Sequence, residues 1–295
     1  MRSGKNGGVG ITNTDWISLG DIPDKSVDCC VTSLPYGFDL NMVCNVFDTV
    51  NKLLRDYGTC WINTDAVDDR PLRFAIEMVN RGWVLRNVII CRNPQPLPVK
   101  NGFDIDFDYM FFFTKNKKYY FEQQFEPHAD ATIERAKYHW CKSDAKSAGY
   151  QELDGLNRDE AYPVNPMGRN KRAVWGWRDE RFETPIVAGC PEFVCKKCGK
   201  PREVIYEYDN PSKPYFEEDD MSRSGAPGSI QTRQSIKSLH RQEGGVYSTA
   251  EFNGYTDCEC GAGFRGGIVL DPFNTDSSVI ELAEKNNRIG VGVKS

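Results

Sequence analysis

Between Val27 and Cys91 the chain alternates short apolar runs with stretches whose apolar residues recur every three or four positions. Val27 to Thr32 ends at a Ser-Leu-Pro-Tyr-Gly turn and predicts a buried strand entering a loop. From Asn41 to Arg55 the residues Met42, Val43, Val46, Phe47, Val50, Leu53 and Leu54 follow helical spacing, with Gly58 beyond them as a stop signal. Thr59 to Asn63 predicts a second strand, Leu72 to Val79 a second helix ending at Gly82, and Trp83 to Cys91 a third strand. Phe107 to Thr114 and Lys118 to Phe121 predict a late strand pair across the polar turn Lys115-Asn116-Lys117. After a long irregular stretch, Gly267 to Asp271 predicts a strand, Ser277 to Asn286 a helix and Arg288 to Val293 a further strand. Strand alternating with helix at this spacing implies α/β architecture: a parallel, doubly wound sheet with helices on both faces.

Composition narrows the function classes only slightly. The 39% hydrophobic content suits a packed core and argues against global disorder. A formal charge of -5 gives no overall basic footprint, so nucleic-acid contact would need a local patch. No stretch approaches the roughly 18 apolar residues of a membrane span, and Met1 to Gly10 is polar and Gly-rich, unlike a secretory leader. A cytoplasmic protein without membrane partners is expected. Cys29, Cys30, Cys60 and Cys91 lie inside apolar runs and read as small buried hydrophobes.

Four features carry candidate chemistry. The loop Ser33-Leu34-Pro35-Tyr36 follows a parallel strand at its carboxyl end, where such sheets place ligands. It offers a hydroxyl, rigidly held carbonyls and a flat aromatic face, which together suit an amine on a planar ring; an ordinary strand-to-turn junction is the alternative. Val269 to Phe273 is an apolar strand ending at Asp271, with a helix start near Ser277 aimed at the same crevice. Cys195-x-x-Cys198 and Cys258-x-Cys260 are two tight pairs, each followed by glycine, Gly199 and Gly261. Four thiolates so paired fit a tetrahedral structural zinc with no open position. Arg169, Lys171, Arg172, Arg178 and Arg181 alternate with Trp175 and Trp177, a composition for phosphate contact and base stacking or for a plain solvated face. His128, His139 and His240 show neither metal nor triad spacing.

In this order, the loops at 33–36 and 271–277 resemble those of the DNA amino-methyltransferases, which carry a (Asp/Asn/Ser)-Pro-Pro-Tyr catalytic loop and an Asp-Pro-Phe-x-Gly-Ser-Gly cofactor loop. The arrangement with the catalytic loop first is that of the β class. Leu19 to Asp28, Trp83 to Arg92, Asp108 to Thr114, Tyr119 to Phe121, Lys171 to Trp175 and Val187 to Pro191 resemble further family segments. The resemblance covers about residues 12–125 and 169–293. It implies a Rossmann-like methyltransferase with a small zinc-ribbon insertion. The core is expected at 11–194, with a target-recognition segment at about 126–181, and at 262–295; the ribbon is expected at 195–261, with a mobile loop at about 209–245. It also implies transfer of a methyl group from S-adenosylmethionine to the exocyclic amine of a cytosine or adenine flipped out of double-stranded DNA, within a bacterial or phage restriction-modification setting. By the same resemblance Ser33, Leu34, Pro35 and Tyr36 are the catalytic loop. Asp15, Asp271, Pro272, Phe273 and Thr275 would hold the cofactor, and Arg169, Lys171, Arg172, Trp175 and Arg178 would touch DNA. Oligomeric state is left open. The chain also departs from the pattern. Leu34 replaces a proline, the cofactor loop reads Phe273-Asn274-Thr275-Asp276-Ser277 without glycine, and no acid ends the segment 289–293. The family's His-Phe-Ala-x-Phe-Pro element is missing from Arg181 to Ile186. These departures frame the alternative of a catalytically degenerate relative that binds DNA or a protein partner.

Overall fold

The computed structural model describes residues 18–136, 167–176, 179–208, 250–274 and 276–293. They fall into two compact units. The first is drawn from 1–122, 172–202 and 257–295, and the second from 123–171 and 203–256.

The first unit is built on one sheet. Its strands are β1 (Val27–Ser33), β2 (Leu54–Asp65), β3 (Val84–Leu97) and β4 (Ile105–Thr114). The short strands β5 (Phe125–Glu126) and β6 (Arg169–Asn170) pair with each other in the second unit. The sheet resumes with β7 (Val174–Trp175); β8 (Val194–Cys195) lies outside it, and β9 (Val204–Tyr208) and β10 (Ala250–Tyr255) form a hairpin in the second unit. Strand β11 (Phe264–Arg265) pairs with β8, and β12 (Ile268–Asp271) and β13 (Ile289–Gly292) complete the sheet. Its order is β13-β12-β1-β2-β4-β3-β7.

Two expectations are corrected here. The sheet is mixed, because β4 runs against both β2 and β3 while every other pairing in it is parallel. The cause is the connection between β3 and β4, residues 98–104, which is far too short for the crossover that a parallel neighbour needs. Consequently β4 takes β3 as its hairpin partner, and Lys118 to Phe121 is not a strand. Tyr119 and Phe121 instead pack their rings on Phe112.

Period-two alternation along the strands feeds two cores. Cys30, Cys60, Ile62, Phe111, Phe113 and Leu270 face helices α1 (Leu40–Leu53) and α2 (Arg70–Asn80), meeting Phe47, Val50 and Phe74. Cys29, Val31, Trp61, Met110, Phe112 and Val269 face the opposite side. There they meet Phe182 and Ile186 of α4 (Asp179–Gly189) and Val279 and Ala283 of α5 (Ser278–Lys285); α3 (Asp130–Ala136) belongs to the second unit. Helices on both faces leave the sheet buried, which is why its strands read as near-continuous apolar runs. The Asp39 carboxylate caps α1 by accepting from the Met42 amide at 2.8 Å. The helix stops at Leu53, and Leu54 already has extended backbone and opens β2, so the strand starts earlier than the sequence spacing implies. Pro71 opens α2 in its first turn, and Gly82, at φ 95°, turns the chain after it.

Candidate active site and cysteine cluster

The parallel strands deliver their carboxyl ends to one edge of the sheet. Ser33 of β1 lies in register with Asn63 of β2, Cys30 with Leu270 of β12, and Asp271 with Gly292 of β13. The loops 33–36 and 271–277 therefore begin on adjacent strands at the same edge, where open α/β sheets bind ligands. They are tied together: the Thr32 hydroxyl donates to Asp271 Oδ1 at 2.5 Å. The same carboxylate oxygen accepts from the Phe273 amide at 3.1 Å, so Asp271 organises the turn it begins. Burial pushes its pKa up to about 6, against the pull of the Thr32 bond.

The loop after β1 divides between core and solvent. Leu34 is buried among the residues around α1 and α2, Pro35 is exposed, and Tyr36 is 76% exposed. A flat phenol ring is thus presented to solvent in the loop that follows the strand end. Ser33 donates to Asn63 Oδ1 at 3.3 Å, and the Leu34 amide donates to the Asn63 carbonyl at 2.9 Å. Asn63, 1% exposed, sends its own Nδ2 to the Tyr109 carbonyl at 3.1 Å. Arg181 of α4 donates from Nη1 to Asn63 Oδ1 at 3.2 Å and pairs with Asp108 at 3.3 Å. Asp108 lies opposite Asp65 in the β2–β4 ladder. Desolvation raises its pKa, Asp65 adds to the rise, and Arg181 pulls it down. The sequence alone does not single out Asn63 or Asp108, and marks Arg181 only as one of the basic residues of its stretch. Asn63-Thr64-Asp65 ends the second apolar run, and its place at a parallel strand's carboxyl end was the available signal.

In the second loop, Pro272 is buried and the Phe273 ring packs 6.1 Å from Phe47. Ser277 holds φ +60°, the left-handed conformation, at a position where the resembling family has glycine. Its amide donates to Asn274 Oδ1 at 3.0 Å. Asn274 is buried, and its Nδ2 has no hydrogen-bond partner among the described residues. A Cβ added at Gly292 would lie 2.5 Å from that nitrogen and 2.6 Å from Ile280 Cδ1. The space beside Gly292 is therefore filled by Ile280 of α5 and by Asn274. Asp15, Arg178 and Thr275 lie outside the described residues, as do Trp177, His139, His240 and the stretch 209–245.

Of the basic and aromatic residues assigned to DNA, the exposed Arg172 has the solvent access that phosphate contact needs. Arg169, in the second unit, pairs with Glu126 at 2.8 Å, and Lys171 is half-buried. Trp175 is corrected: only 6% exposed, it packs against Trp61 with ring centroids 6.3 Å apart. Its indole N–H donates to the Arg172 carbonyl at 2.8 Å. A ring so enclosed cannot stack on a base.

The four paired cysteines converge within the first unit. The Sγ atoms of Cys195, Cys198, Cys258 and Cys260 all lie within 4.8 Å of one another, a cluster suited to a structural metal. Gly199 and Gly261, directly after the two pairs, take φ +69° and +59°, the tight turns that let backbone amides face sulfur. The Cys198 backbone N–H, with the Cys258 thiol second, holds the Cys195 thiol down at about 6. Cys260 is pushed up to about 12, first by its hydrogen bond with Cys198 and then by burial and the remaining thiols. Such mutual crowding is what a shared dication relieves. The cluster is also anchored to the sheet. The Tyr57 hydroxyl, with its one hydrogen, lies within donating distance of two acceptors, Oδ1 of the fully buried Asp28 at 2.5 Å and the Gly199 carbonyl at 3.0 Å. Asp28 further receives Arg55 at 3.0 Å, Arg265 at 3.1 Å and the Ile268 amide at 2.8 Å.

Among the described residues no helix is long and apolar enough to cross a membrane. Curated relatives are type II methyltransferases. M.Cfr9I of Citrobacter freundii is 26% identical over 235 residues, covering 61% of this chain and 67% of that protein. M.SfiI of Streptomyces fimbriatus is 24% identical over 181 residues, 46% of this chain and 43% of that protein. Thus the chain spans about half the length of some of the relatives it matches. Among solved structures, the cytosine-N4-specific PvuII DNA methyltransferase aligns at a TM-score of 0.43 and 12% identity, over 94% of this chain and 77% of that one. The profile of the N6/N4 DNA methylase family matches residues 27–208, which takes in β1, the 33–36 loop, the β2–β4–β3 ladder and α4. By that match, over more than half its length, the chain belongs to the N6/N4 DNA methylase family.

Proposed function

We propose that this protein transfers a methyl group from S-adenosylmethionine to the exocyclic amine of a cytosine or adenine flipped out of double-stranded DNA, in a bacterial or phage-infected cytoplasm. One observation carries the reading: the 33–36 and 271–277 loops rise from adjacent strands at the same sheet edge and are joined by the Thr32–Asp271 bond. In this reading Tyr36 stacks on the extruded base. The Ser33 hydroxyl and the Leu34 carbonyl accept the hydrogens of the amine, and positioning supplies much of the rate. Residues at the second loop fit the cofactor in two respects. Ser277 keeps the left-handed turn despite the missing glycine, and the buried Asn274 Nδ2 is a donor in want of an acceptor. Asp271, Pro272 and Phe273 would shape that turn, and the resemblance adds Thr275 to the cofactor set. The cofactor, when bound, supplies an electrophilic methyl on a cationic sulfur; the chain's part is to hold and aim the amine. The same reading makes 11–194 and 262–295 one core interrupted by a ribbon at 195–261, with zinc held by Cys195, Cys198, Cys258 and Cys260.

The test is methyl transfer from isotopically labelled S-adenosylmethionine to duplex DNA, with the modified base identified after digestion. Label is expected on cytosine N4 or adenine N6, and Ser33→Ala and Tyr36→Ala should each slow transfer about tenfold or more while leaving a measurable single-turnover rate; loss of base stacking alone is worth roughly 1–3 kcal/mol. Transfer at the parent rate in both variants would place the active site elsewhere. DNA binding with neither transfer nor cofactor binding would establish the degenerate relative.

A further inference from the structure

We infer that Asn63 is a positioning residue that fixes both hydrogen-bond acceptors of the catalytic loop, an inference that rests on the methyl-transfer reading above. The target amine presents hydrogens, so the groups that receive it must be acceptors when it arrives. A serine hydroxyl is an ambiguous choice, since it rotates and donates as readily as it accepts. In this chain the ambiguity is removed by Asn63. The Asn63 amide cannot be turned round: its Nδ2 donates to the Tyr109 carbonyl at 3.1 Å and its Oδ1 receives Arg181 Nη1 at 3.2 Å. Reversal would set oxygen against oxygen and N–H against N–H. With the orientation settled on two sides, Oδ1 can only accept, and the Ser33 hydroxyl must donate to it across 3.3 Å. The hydrogen of Ser33 is thereby committed to the protein, and both lone pairs of its oxygen are left for the amine.

The second acceptor is held by the same residue through its backbone. Where the family has proline, this chain has Leu34, and the stiffness of the proline ring is lost. Leucine brings an N–H that proline lacks, and that N–H donates to the Asn63 carbonyl at 2.9 Å. The Leu34 side chain is meanwhile packed in the core around α1 and α2. One hydrogen bond and one buried side chain thus restrain the peptide that carries the Leu34 carbonyl. The substitution that departs from the family's pattern is compensated by its neighbour on β2. Asn63 does not itself reach the substrate in this scheme. It acts through Ser33 and Leu34, and Arg181, braced by Asp108 at 3.3 Å, acts through Asn63.

A double-mutant cycle in the full chain reads this out. Asn63→Ala removes the side-chain acceptor while leaving the backbone carbonyl to Leu34. The single-turnover rate should fall about tenfold, the size of one lost hydrogen bond, with KM for DNA and for S-adenosylmethionine within about twofold. In a Ser33→Ala background the same change should cost almost nothing further, because there is no hydroxyl left to aim. Losses that add across the cycle, or a rise in KM with the rate unchanged, overturn the assignment. A second measurement needs neither activity nor a folded Asn63 variant: the side-chain amide resonances of Asn63 in the free, nitrogen-15-labelled protein. Ser33→Ala should shift them and speed their hydrogen exchange; resonances that do not move overturn the clamp. Should the unmodified protein methylate no duplex while these resonances respond, the methyl-transfer reading falls and the Asn63–Ser33 contact stands.

Discussion

Ser277 sits in a backbone conformation that its side chain opposes. At φ +60° a residue with a Cβ pays roughly 1–2 kcal/mol that glycine does not, offset in part by the extra freedom glycine has when unfolded. Ser277→Gly should therefore raise stability by about 0.5–1 kcal/mol, seen as a small upward shift in thermal midpoint; a lower midpoint would show that the serine hydroxyl holds the turn. Gly292 behaves in the opposite sense. The sequence suggests a lost acid there, but a Cβ at that position would lie 2.5 Å from Asn274 Nδ2 and 2.6 Å from Ile280, so Gly292→Ala should destabilise by about 1–3 kcal/mol. A neutral outcome would mean that α5 moves aside easily. Asp271 adds a pH signature. Its folded pKa of about 6 lies above the ordinary carboxylate value, so the folded state holds a proton that the unfolded chain gives up earlier. Stability tied to this group is complete below about pH 4 and is lost as pH rises through about 6, on the order of 2–3 kcal/mol in all. Asp271→Asn keeps an oxygen for Thr32 and Phe273, so it should be more stable than the parent at pH 8 and equal to it near pH 4. Equal differences at both pH values would remove the titration from the account.

Elements, not single residues, decide how the cysteine cluster relates to the sheet. The turn after Cys198 touches β2 through Tyr57, β2 touches β1 through Asp28, and β11 and β12 reach Asp28 through Arg265 and the Ile268 amide. The fully buried carboxylate joins these elements. Asp28→Ala would leave two arginines facing a void and should cost about 3–5 kcal/mol, enough to unfold a marginal domain. Tyr57→Phe is the gentler probe: it breaks the link between Asp28 and Gly199 and leaves the ring in place. Chelator should then strip zinc from the variant faster than from the parent, measured with a colorimetric metal indicator. Equal release rates would mean that the cluster does not depend on the sheet.

At the scale of the whole molecule, the cysteine cluster suited to a metal bears on the stability of the first unit. Four thiolates on a structural zinc contribute to folding directly, and the cluster is bonded into the sheet through the Tyr57–Asp28 link. Removal of zinc should lower the midpoint of the sheet's cooperative unfolding, not merely loosen a local ribbon. Elemental analysis should find one zinc per chain, lost on Cys195→Ser; zinc-free protein with an unchanged midpoint would reduce the cluster to reduced thiols.

The local pattern of the chain determined most elements, because period-two and period-three-to-four spacing depends only on which face of an element is buried. β1, α1, α2, β12, α5 and the paired cysteines were legible in this way. So were both loops, since a turn chemistry following an apolar strand is a local signal. Strand direction and neighbours were not. That β4 returns antiparallel between β2 and β3 follows from a short connection whose consequence appears only when the sheet is assembled. Burial of an amphipathic ring was equally hidden: Trp175 reads like a base-stacking residue among arginines, and only packing on Trp61 makes it core. Asn63, Arg181 and Asp108 come from β2, α4 and β4, separated by tens of residues, and nothing local marks them as partners. Hydrogen bonds between distant side chains require that their backbones already be placed, so the sequence named the loops and the tertiary structure decided what aims them.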